Sequence, residues 1–337
     1  MNYKNPTYYY PNDEELRKIL ISNMQLTTLE SVEREEISQS SFSLLEKITI
    51  ANGDSFVFKT VNTYLLDEIK VHMLINDQFI NAAKILFFES QLRQRKHFFL
   101  MEFIPDLTPF YAEFDISDDM LFDFMHRLAR FHTDNTDAPK KYMGQILQLG
   151  CKWYQRFITH LSAQVSKVFA LQSDESIWLD EIDAKFKELS EQVPQLFQEV
   201  VNSPLTIVHG DLNPGNIIVV DSEGGKKLKV IDWGMAHFDT SLIDVGHFLD
   251  SIGGIVNQGL QDELLTYYLE ETPEIYPYCS DIDTLFLIGK IMHYMFYINF
   301  QSLATLQGWV SPNYFLQQLQ YELVYLMGLI SEKIVKI

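Results

Sequence analysis

Residues 205–234 read LTIVHGDLNPGNIIVVDSEGGKKLKVIDWG, and this stretch decides the fold. Two short apolar runs, at 216–220 and 228–231, flank a polar turn at 222–227 that contains glycine. Apolar runs separated by a short glycine-containing turn are typical of a β-hairpin. The sequence therefore predicts two antiparallel strands here.

Polar side chains stand at the ends of this predicted hairpin. His209, Gly210 and Asp211 precede the first strand, Asn216 opens it, and Asp232 follows the second strand. Because a hairpin returns its far end to its start, we expect Asp211, Asn216 and Asp232 to converge on one small volume. Three oxygen-bearing side chains suit a hard divalent cation, and Mg²⁺ typically takes one or two carboxylates together with phosphate oxygens.

The spacing of these residues resembles the catalytic and metal-binding core of kinases. The string HGDLNPGN at 209–216, followed by IDW at 231–233, is more similar to the aminoglycoside phosphotransferase and choline kinase-like family than to protein kinases. The resemblance implies an α+β, two-lobed, protein kinase-like fold. In that fold a small antiparallel sheet with one main helix sits on a larger, mostly helical lobe. It also implies that Asp211 is the catalytic base and that Asn216 and Asp232 hold Mg²⁺.

Two further apolar stretches, at 42–50 and 55–61, are separated by Asn52-Gly53, a strong hairpin turn signal. Residues 35–38 are expected to form a strand ahead of them, with a turn at 39–41. Three strands in this order resemble the first sheet of a kinase small lobe.

The resemblance assigns a phosphate-binding role to Lys59, at the end of the last of these strands. The stretch 67–74 is expected to form a helix, and Glu68 is the natural ion-pair partner for the lysine. Asp67 is the competing choice.

The loop expected to cover the phosphates, residues 38–43, contains no glycine. Glycine lets backbone N–H groups approach phosphates closely. Ser40 and Ser41 can substitute for it by donating hydrogen bonds from their hydroxyl groups. The missing glycine also keeps a second hypothesis open, namely a kinase-like pseudoenzyme that binds nucleotide or ligand without phosphoryl transfer.

Residues 98–104 resemble the hinge of the family. The backbone carbonyl of Glu102 and the amide of Ile104 are expected to face the nucleotide base, with Met101 beside the ring. Pro105 ends the strand. The predicted domains are therefore a nucleotide-binding lobe at 1–104 and a catalytic and substrate-binding lobe at 105–337.

The C-terminal lobe is predicted to be mainly helical. Ser117 is expected to cap a helix whose apolar residues recur with a period near 3.6 up to His132. The stretch that ends at His132 resembles the end of the family's central helix, which implies that His132 bonds the catalytic loop. Asp244-Val245-Gly246 resembles the family's opening of a later helix, which implies that Asp244 caps that helix and braces the same loop. Further helices are expected near 12–24, within an insertion at 134–203 (including 146–160), at 285–300 and at 315–334.

Composition narrows the class of partner. Lys and Arg total 26 against 46 Asp and Glu, a formal net charge of −20, so the surface should repel nucleic acid and anionic membrane and tolerate cationic ligands. Two scattered cysteines fit a reducing compartment, and we expect a cytoplasmic protein. The most apolar late run, 285–300, is shorter than the roughly 20 residues that a membrane span needs.

The sequence therefore predicts an ATP- or GTP-dependent phosphotransferase that acts as a monomer or homodimer. Its substrate is expected to be a hydroxyl group of a small molecule, and the acidic surface allows a cationic one: an aminoglycoside, choline, or another amino alcohol or sugar. A protein kinase is disfavoured because the motif lacks the Arg of His-Arg-Asp and no Ala-Pro-Glu follows Asp232. A scaffold without activity would leave Asp211, Asn216 and Asp232 without a purpose.

Overall fold

The computed structural model describes residues 9–24, 28–39, 43–61, 66–75, 80, 83–91, 96–105, 108–110, 116–170, 184, 187–188, 191, 197, 200, 202–222, 225–276, 282–306, 308 and 310–334. The helices in this part are α1 (Asp13–Met24), α2 (Leu66–Ile75), α3 (Asp118–Asp134), α4 (Ala138–Lys141), α5 (Cys151–Phe169), α6 (Leu242–Ile252), α7 (Gln258–Glu270), α8 (Ile282–Leu306) and α9 (Pro312–Ile334). The strands are β1 (Val32–Gln39), β2 (Ser43–Ile50), β3 (Ser55–Val61), β4 (Ile85–Gln91), β5 (Lys96–Glu102), β6 (Thr108–Pro109), β7 (Thr206–Val208), β8 (Ile217–Ser222), β9 (Gly225–Val230) and β10 (His237–Asp239).

The N-terminal region is a five-stranded antiparallel sheet with the strand order β1-β2-β3-β5-β4. Helix α1 packs on it through Leu16 and Leu20, which share a core with Phe58 and Phe98. Helix α2 contributes Ile69 to a separate apolar cluster with Phe99. Apolar side chains on both faces of the central strands thus account for helical cover on both sides, and the predicted small sheet lobe is confirmed.

The C-terminal region is mostly helical and contains the predicted hairpin. Strands β8 and β9 pair from Ile217 opposite Val230 to Ser222 opposite Gly225. The short strands β7 and β10 pair beside it. Ser117 caps α3 by accepting a hydrogen bond from the Met120 amide, as predicted. The predicted α+β fold with a helical C-terminal lobe is confirmed.

One helix begins later than predicted. The expected helix at 146–160 starts at Cys151 and continues to Phe169. Leu147 and Leu149 instead exchange backbone hydrogen bonds with Phe238 on β10, at 2.8 Å each. Gly150 then turns the chain into α5 with a φ of 102°. Pairing to a strand, rather than helix formation, accompanies the burial of Ile146 and Leu149, while Leu147 stays exposed.

Helices α6 and α8 cross with their backbones in contact at Gly246 and Gly289. A Cβ atom added to Gly246 would lie 2.6 Å from the carbonyl carbon of Gly289. A Cβ added to Gly289 would overlap the carbonyl oxygen of Leu242. Only glycine on both helices permits so close a crossing.

No helix in the described part of the chain combines the length and apolarity that a membrane crossing requires.

Candidate active site

The hairpin brings Asp211, Asn216 and Asp232 to one place. The Ile231 amide donates to the Asn216 carbonyl at 2.9 Å, which joins the ends of the two strands. Asn216 Nδ2 donates to Asp211 Oδ2 at 3.0 Å and to the Asp211 carbonyl at 2.8 Å. Asp232 follows directly after Ile231, so all three side chains surround the mouth of the hairpin.

The carboxylate of Asp211 is fixed by hydrogen bonds and yet remains accessible to solvent. Its Oδ1 accepts from Asn213 Nδ2 and its Oδ2 from Asn216 Nδ2, both at 3.0 Å, while 35% of the side chain stays exposed. Burial raises the pKa of Asp211; His209 opposes this change, and the charge of Asp232 adds to it. Asn213 is a functional residue that the motif did not single out. Its signal was the Asn-Pro-Gly turn, in which Asn213 Oδ1 also caps the Gly215 amide at 2.8 Å.

His209 ties the two halves of the hairpin together. Its Nδ1 accepts from the Asp211 amide at 3.2 Å, so its proton lies on Nε2, which donates to the Ile231 carbonyl at 2.9 Å. Both ring nitrogens are thereby engaged. Gly210, which lies between His209 and Asp211 in the sequence, has a φ of 79°. A Cβ atom there would lie 2.5 Å from the Met235 carbonyl oxygen, which explains the glycine in the motif.

Asp244 supports this loop from below. Its Oδ2 accepts from the His209 amide at 2.7 Å and its Oδ1 from the Gly210 amide at 2.9 Å. His132 Nε2 lies 3.3 Å from the same carboxylate, and its Nδ1 lies 2.8 Å from the hydroxyl of Tyr268. Burial alone would raise the pKa of Asp244, but the hydrogen bond and charge of His132 lower it overall.

The predicted capping role of Asp244 is wrong. Helix α6 begins at Leu242, and its N-cap, Ser241, makes no side-chain capping hydrogen bond. Asp244 lies within the first turn of α6, with both carboxylate oxygens directed at the amides of the catalytic loop. The buried amides of His209 and Gly210 have no partner in a strand. A charged acceptor therefore stabilises them more than it would stabilise the amides at the start of the helix.

Lys59 connects the sheet lobe to the hairpin. Its Nζ donates to Glu68 Oε1 at 2.6 Å and to Asp232 Oδ1 at 2.7 Å, and the side chain is almost fully buried. Burial would lower its pKa, but the two carboxylates outweigh burial and raise it, so the amine is a cation. The Glu68 interpretation agrees with these contacts. The side chain of Asp67, the competing choice, lies outside the described residues.

Asp232 has an unusual backbone conformation. Its φ of 59° is the one positive value at a non-glycine residue within the described residues. The charge of Lys59 lowers the pKa of Asp232 against the opposing effect of burial, and 55% of the side chain is exposed. Strained backbone of this kind is held at functional sites by the surrounding structure, and here it directs a carboxylate into a cleft.

A cleft of about 730 Å³ separates the sheet from the hairpin, within the range of small-molecule sites. Of the predicted cofactor and metal residues, those in its lining are Lys59, Glu68, Met101, Glu102, Ile104, Asn216 and Asp232. Ser40 and Ser41 lie outside the described residues.

The residues at the cleft floor fit a hard cation that is shared with a phosphate. Because the amide nitrogen of Asn216 is directed at Asp211, its amide oxygen faces away from that carboxylate. This oxygen and the Asp232 carboxylate are the donor types that Mg²⁺ prefers. No group of three or more His, Cys, Asp or Glu side chains among the described residues is arranged to hold a metal by itself.

Solved structures share this architecture. A choline kinase from Cryptosporidium parvum superposes with a TM-score of 0.64 at 11% identity, covering 96% of this chain and 96% of that one. An ethanolamine kinase from Plasmodium vivax gives 0.59 at 15% identity, with coverages of 95% and 92%. An aminoglycoside phosphotransferase, solved with GDP and kanamycin, gives 0.59 at 16% identity, with coverages of 90% and 97%. At these identities the likeness shows the fold.

The sequence itself supplies the family. No curated protein sequence matches this chain. The model of the phosphotransferase enzyme family matches residues 47–278, which is more than half of the chain and includes Lys59 and the whole hairpin. The chain belongs to the phosphotransferase enzyme family, and it is accordingly a small-molecule phosphotransferase.

Proposed function

We propose that the protein transfers the γ-phosphoryl group of ATP or GTP to a hydroxyl group of a small molecule. The observation that carries this proposal is the position of Lys59. Its buried cation contacts both Glu68 and Asp232 in a cleft that Asn216 also lines. Asp211 lies directly behind Asn216. The site therefore contains, in order, a cation for phosphates (Lys59), two oxygen ligands for a metal (Asn216 and Asp232) and a carboxylate base (Asp211).

The nucleotide half of the site lies in the cleft. Met101, Glu102 and Ile104 would hold the base at the end of β5, and Lys59 would bind the α- and β-phosphates while Glu68 holds the lysine in place. Ser40 and Ser41 would cover the phosphates. The GDP complex of an aminoglycoside phosphotransferase with this fold supports nucleotide use.

Asn216 and Asp232 would hold Mg²⁺. When bound, the ion neutralises charge that develops on the phosphate oxygens during transfer. Asp211 accepts the proton of the attacking hydroxyl, since neither of its oxygens donates a hydrogen bond and both are aligned by asparagine amides. His209 keeps Asp211 in position and does not act as the base, because both of its nitrogens are engaged.

A second group of side chains supports a cationic acceptor. Asp250 Oδ1 accepts from Lys290 Nζ at 2.9 Å and from the Tyr325 hydroxyl at 2.8 Å, and its Oδ2 accepts from the Tyr294 hydroxyl at 3.2 Å. Nearby Glu322 has a buried Oε2 with no hydrogen-bond partner among the described residues. Lys290 compensates Asp250, and Glu322 adds a second carboxyl group, with a pKa raised to about 7, that can ionise against an ammonium group.

Glu322 of this acidic group and the base Asp211 both affect the pKa of one residue, Tyr297. Burial is the main cause that raises the pKa of Tyr297 to about 12, and the charges of Glu322 and Asp211 both contribute. An acceptor that placed its hydroxyl at Asp211 could direct an amine toward Glu322, as in an amino alcohol or an amino sugar.

The test is release of ADP or GDP by the purified protein with Mg²⁺ and either nucleotide. The acceptor panel contains kanamycin, choline, ethanolamine, neutral sugars and homoserine. We expect release that depends on one acceptor class. If neither release nor Mg²⁺-dependent thermal stabilisation by ATP or GTP occurs, the proposal is wrong and a scaffold remains. Stabilisation without release would favour the pseudoenzyme.

Replacing Lys59 with Met should weaken nucleotide binding. The loss of a charged hydrogen-bond donor to phosphate is expected to raise the Kd roughly ten- to hundredfold. Isothermal titration with ATP and GTP in Mg²⁺ measures this. Lys47→Met is the matched control, because Lys47 lines the same cleft but its Nζ lies over the Phe103 ring at 4.6 Å. Equal effects of the two substitutions would contradict the role of Lys59.

Replacing Glu322 with Gln should stabilise the unliganded protein in a pH-dependent way. Burial, with help from Asp250, raises the pKa of Glu322 to about 7. As pH rises from about 4.3, the unfolded chain loses this proton first, so the folded protein loses stability through pH 7. We expect a higher Tm for the variant at pH 8 and nearly the same Tm at about pH 4, below the unfolded pKa.

Scanning calorimetry at both pH values checks this prediction, with Glu263→Gln on the exposed face of α7 as the control. A Tm difference that does not change with pH would contradict it. If the acceptor is cationic, the same variant should also raise the KM for that acceptor and leave the KM for the nucleotide unchanged.

A further inference from the structure

A stack of aromatic rings reaches Asp211 through its first member, His247. His247 on α6 lies face to face with His293 on α8, with ring centroids 3.3 Å apart and an interplanar angle of 15°. His293 in turn lies 6.2 Å from the Tyr297 ring at 24°. Among the described residues that line the nucleotide cleft, none belongs to this stack. The stack of His247, His293 and Tyr297 is therefore separate from the lining of the nucleotide cleft.

His247 is the member of the stack that reaches Asp211. Its Nδ1 lies 3.9 Å from Asp211 Oδ1, which is too long for a hydrogen bond. The same Nδ1 is buried and has no hydrogen-bond partner among the described residues. A buried ring nitrogen left unpaired is costly, so its retention beside the catalytic carboxylate calls for an explanation.

His293 fixes the ring of His247 from behind. It is buried, and its ring lies directly against the ring of His247. Two imidazole rings in face contact cannot both carry a charge. Burial, with His293 as a second cause, lowers the pKa of His247 well below its usual value, so the ring is neutral near pH 7. A neutral imidazole carries one N–H donor.

The distance between His247 Nδ1 and Asp211 Oδ1 is one that a single bridging oxygen atom can span. Two atoms 3.9 Å apart can share an oxygen that lies about 2.8 Å from each, an ordinary hydrogen-bond length. A hydroxyl group at that point can donate its proton to Asp211 Oδ1 and accept a hydrogen bond from His247 Nδ1. Its second lone pair is then free to attack phosphorus.

We propose that His247 positions the acceptor by donating a hydrogen bond from Nδ1 to the hydroxyl oxygen that Asp211 deprotonates. This proposal rests on the proposed function. In the step, the hydroxyl proton passes to Asp211 and the hydroxyl oxygen forms a bond to the γ-phosphorus. The bond from that phosphorus to the bridging oxygen breaks, and its electron pair leaves with the nucleoside diphosphate. His247 keeps its proton throughout.

Three substitutions test the role of Nδ1. His247→Asn retains an N–H donor near the position of Nδ1, His247→Gln places one near Nε2, and His247→Ala removes both. For the acceptor found active in the panel, we expect kcat to fall roughly ten- to hundredfold in the Ala and Gln variants, the cost of a lost hydrogen bond to an oxygen that gains charge. In the Asn variant we expect kcat within about threefold of the wild type, because the donor is retained.

The nucleotide KM and the Tm separate positioning from folding. Both should stay near the wild-type values in the Asn and Gln variants, which have similar size and polarity. His160→Ala, at an exposed position on α5, is the control for the loss of a histidine as such. If the Ala variant is unstable, the comparison of Asn with Gln decides.

Two results would overturn the proposal while the proposed function stands. One is a wild-type kcat in the Ala or Gln variant of an enzyme that turns over its acceptor. The other is an equal loss in the Asn and Gln variants. A wild-type protein that binds nucleotide and turns over no acceptor is distinguishable from both, and it would overturn the proposed function together with this proposal.

Discussion

Replacing Asp211 with Asn lowers kcat by about a thousandfold, because the attacking hydroxyl loses the group that accepts its proton, and general bases contribute roughly 10² to 10⁴. The nucleotide KM should change little, since Asp211 is separated from the cleft by Asn216. Steady-state release of nucleoside diphosphate with the active acceptor measures both constants. Asp221→Asn is the matched control, since it changes the same group at an exposed position on β8 of the same hairpin.

The pH profile gives a second readout of the same substitution. Burial raises the pKa of Asp211, and only its ionised form can accept a proton. As pH falls through that raised pKa, kcat/KM should fall, and it should do so at a higher pH than an ordinary aspartate would give. The residual activity of Asp211→Asn should lack this acid limb. An unchanged acid limb in the variant would exclude Asp211 as the base.

Replacing Gly289 with Ala should destabilise the folded protein by about 3 kcal/mol, the upper part of the range for overpacked cores. The added Cβ overlaps the carbonyl oxygen of Leu242, and backbone atoms cannot rotate away as a side chain can. Helices α6 and α8 must therefore separate and lose contacts along their length. Urea unfolding followed by circular dichroism measures the change in the free energy of unfolding.

The control is the same substitution at Gly328, on an exposed part of α9. A Cβ there meets no atom within 4 Å. Alanine is favoured over glycine in a helix by about 1 kcal/mol, so Gly328→Ala should stabilise the protein slightly. Effects of opposite sign from one chemical change would assign the loss at Gly289 to the helix crossing. Destabilisation of equal size at both positions would contradict that cause.

The parts of the site that could be predicted from the sequence are local or follow from a repeated pattern. The hairpin at 205–234 follows from two apolar runs and a glycine turn, and it alone brings Asp211, Asn216 and Asp232 together. The antiparallel sheet follows in the same way from its own turns. Lys59 and Glu68 were paired through the family resemblance, and their contact at 2.6 Å agrees with it.

The rest of the site depends on packing between distant segments. His247 and His293 come from two helices, and no local pattern indicates that their rings meet. Glu322 on α9 comes close to Asp250 on α6 only because both helices pack against α8. Asp244 was expected to cap its helix because Asp244-Val245-Gly246 resembles the helix opening of the family, yet its carboxylate accepts from the amides of a distant loop instead. The lobe boundary at Pro105 stays a prediction.

The close crossing of α6 and α8 at Gly246 and Gly289 also sets the spacing of the ring stack formed by His247, His293 and Tyr297. His247 follows Gly246 directly, and His293 lies one helical turn beyond Gly289, so the separation of the two rings is governed by the hydrogen atoms that stand in place of side chains at the crossing. A larger residue at either glycine would push α6 and α8 apart. The rings of His247 and His293 would then separate beside Asp211, and the helices would lose contacts. Tolerance for bulky acceptors and resistance to unfolding should therefore trade against each other at these two positions, and a variant selected for a wider substrate range would begin from a less stable protein.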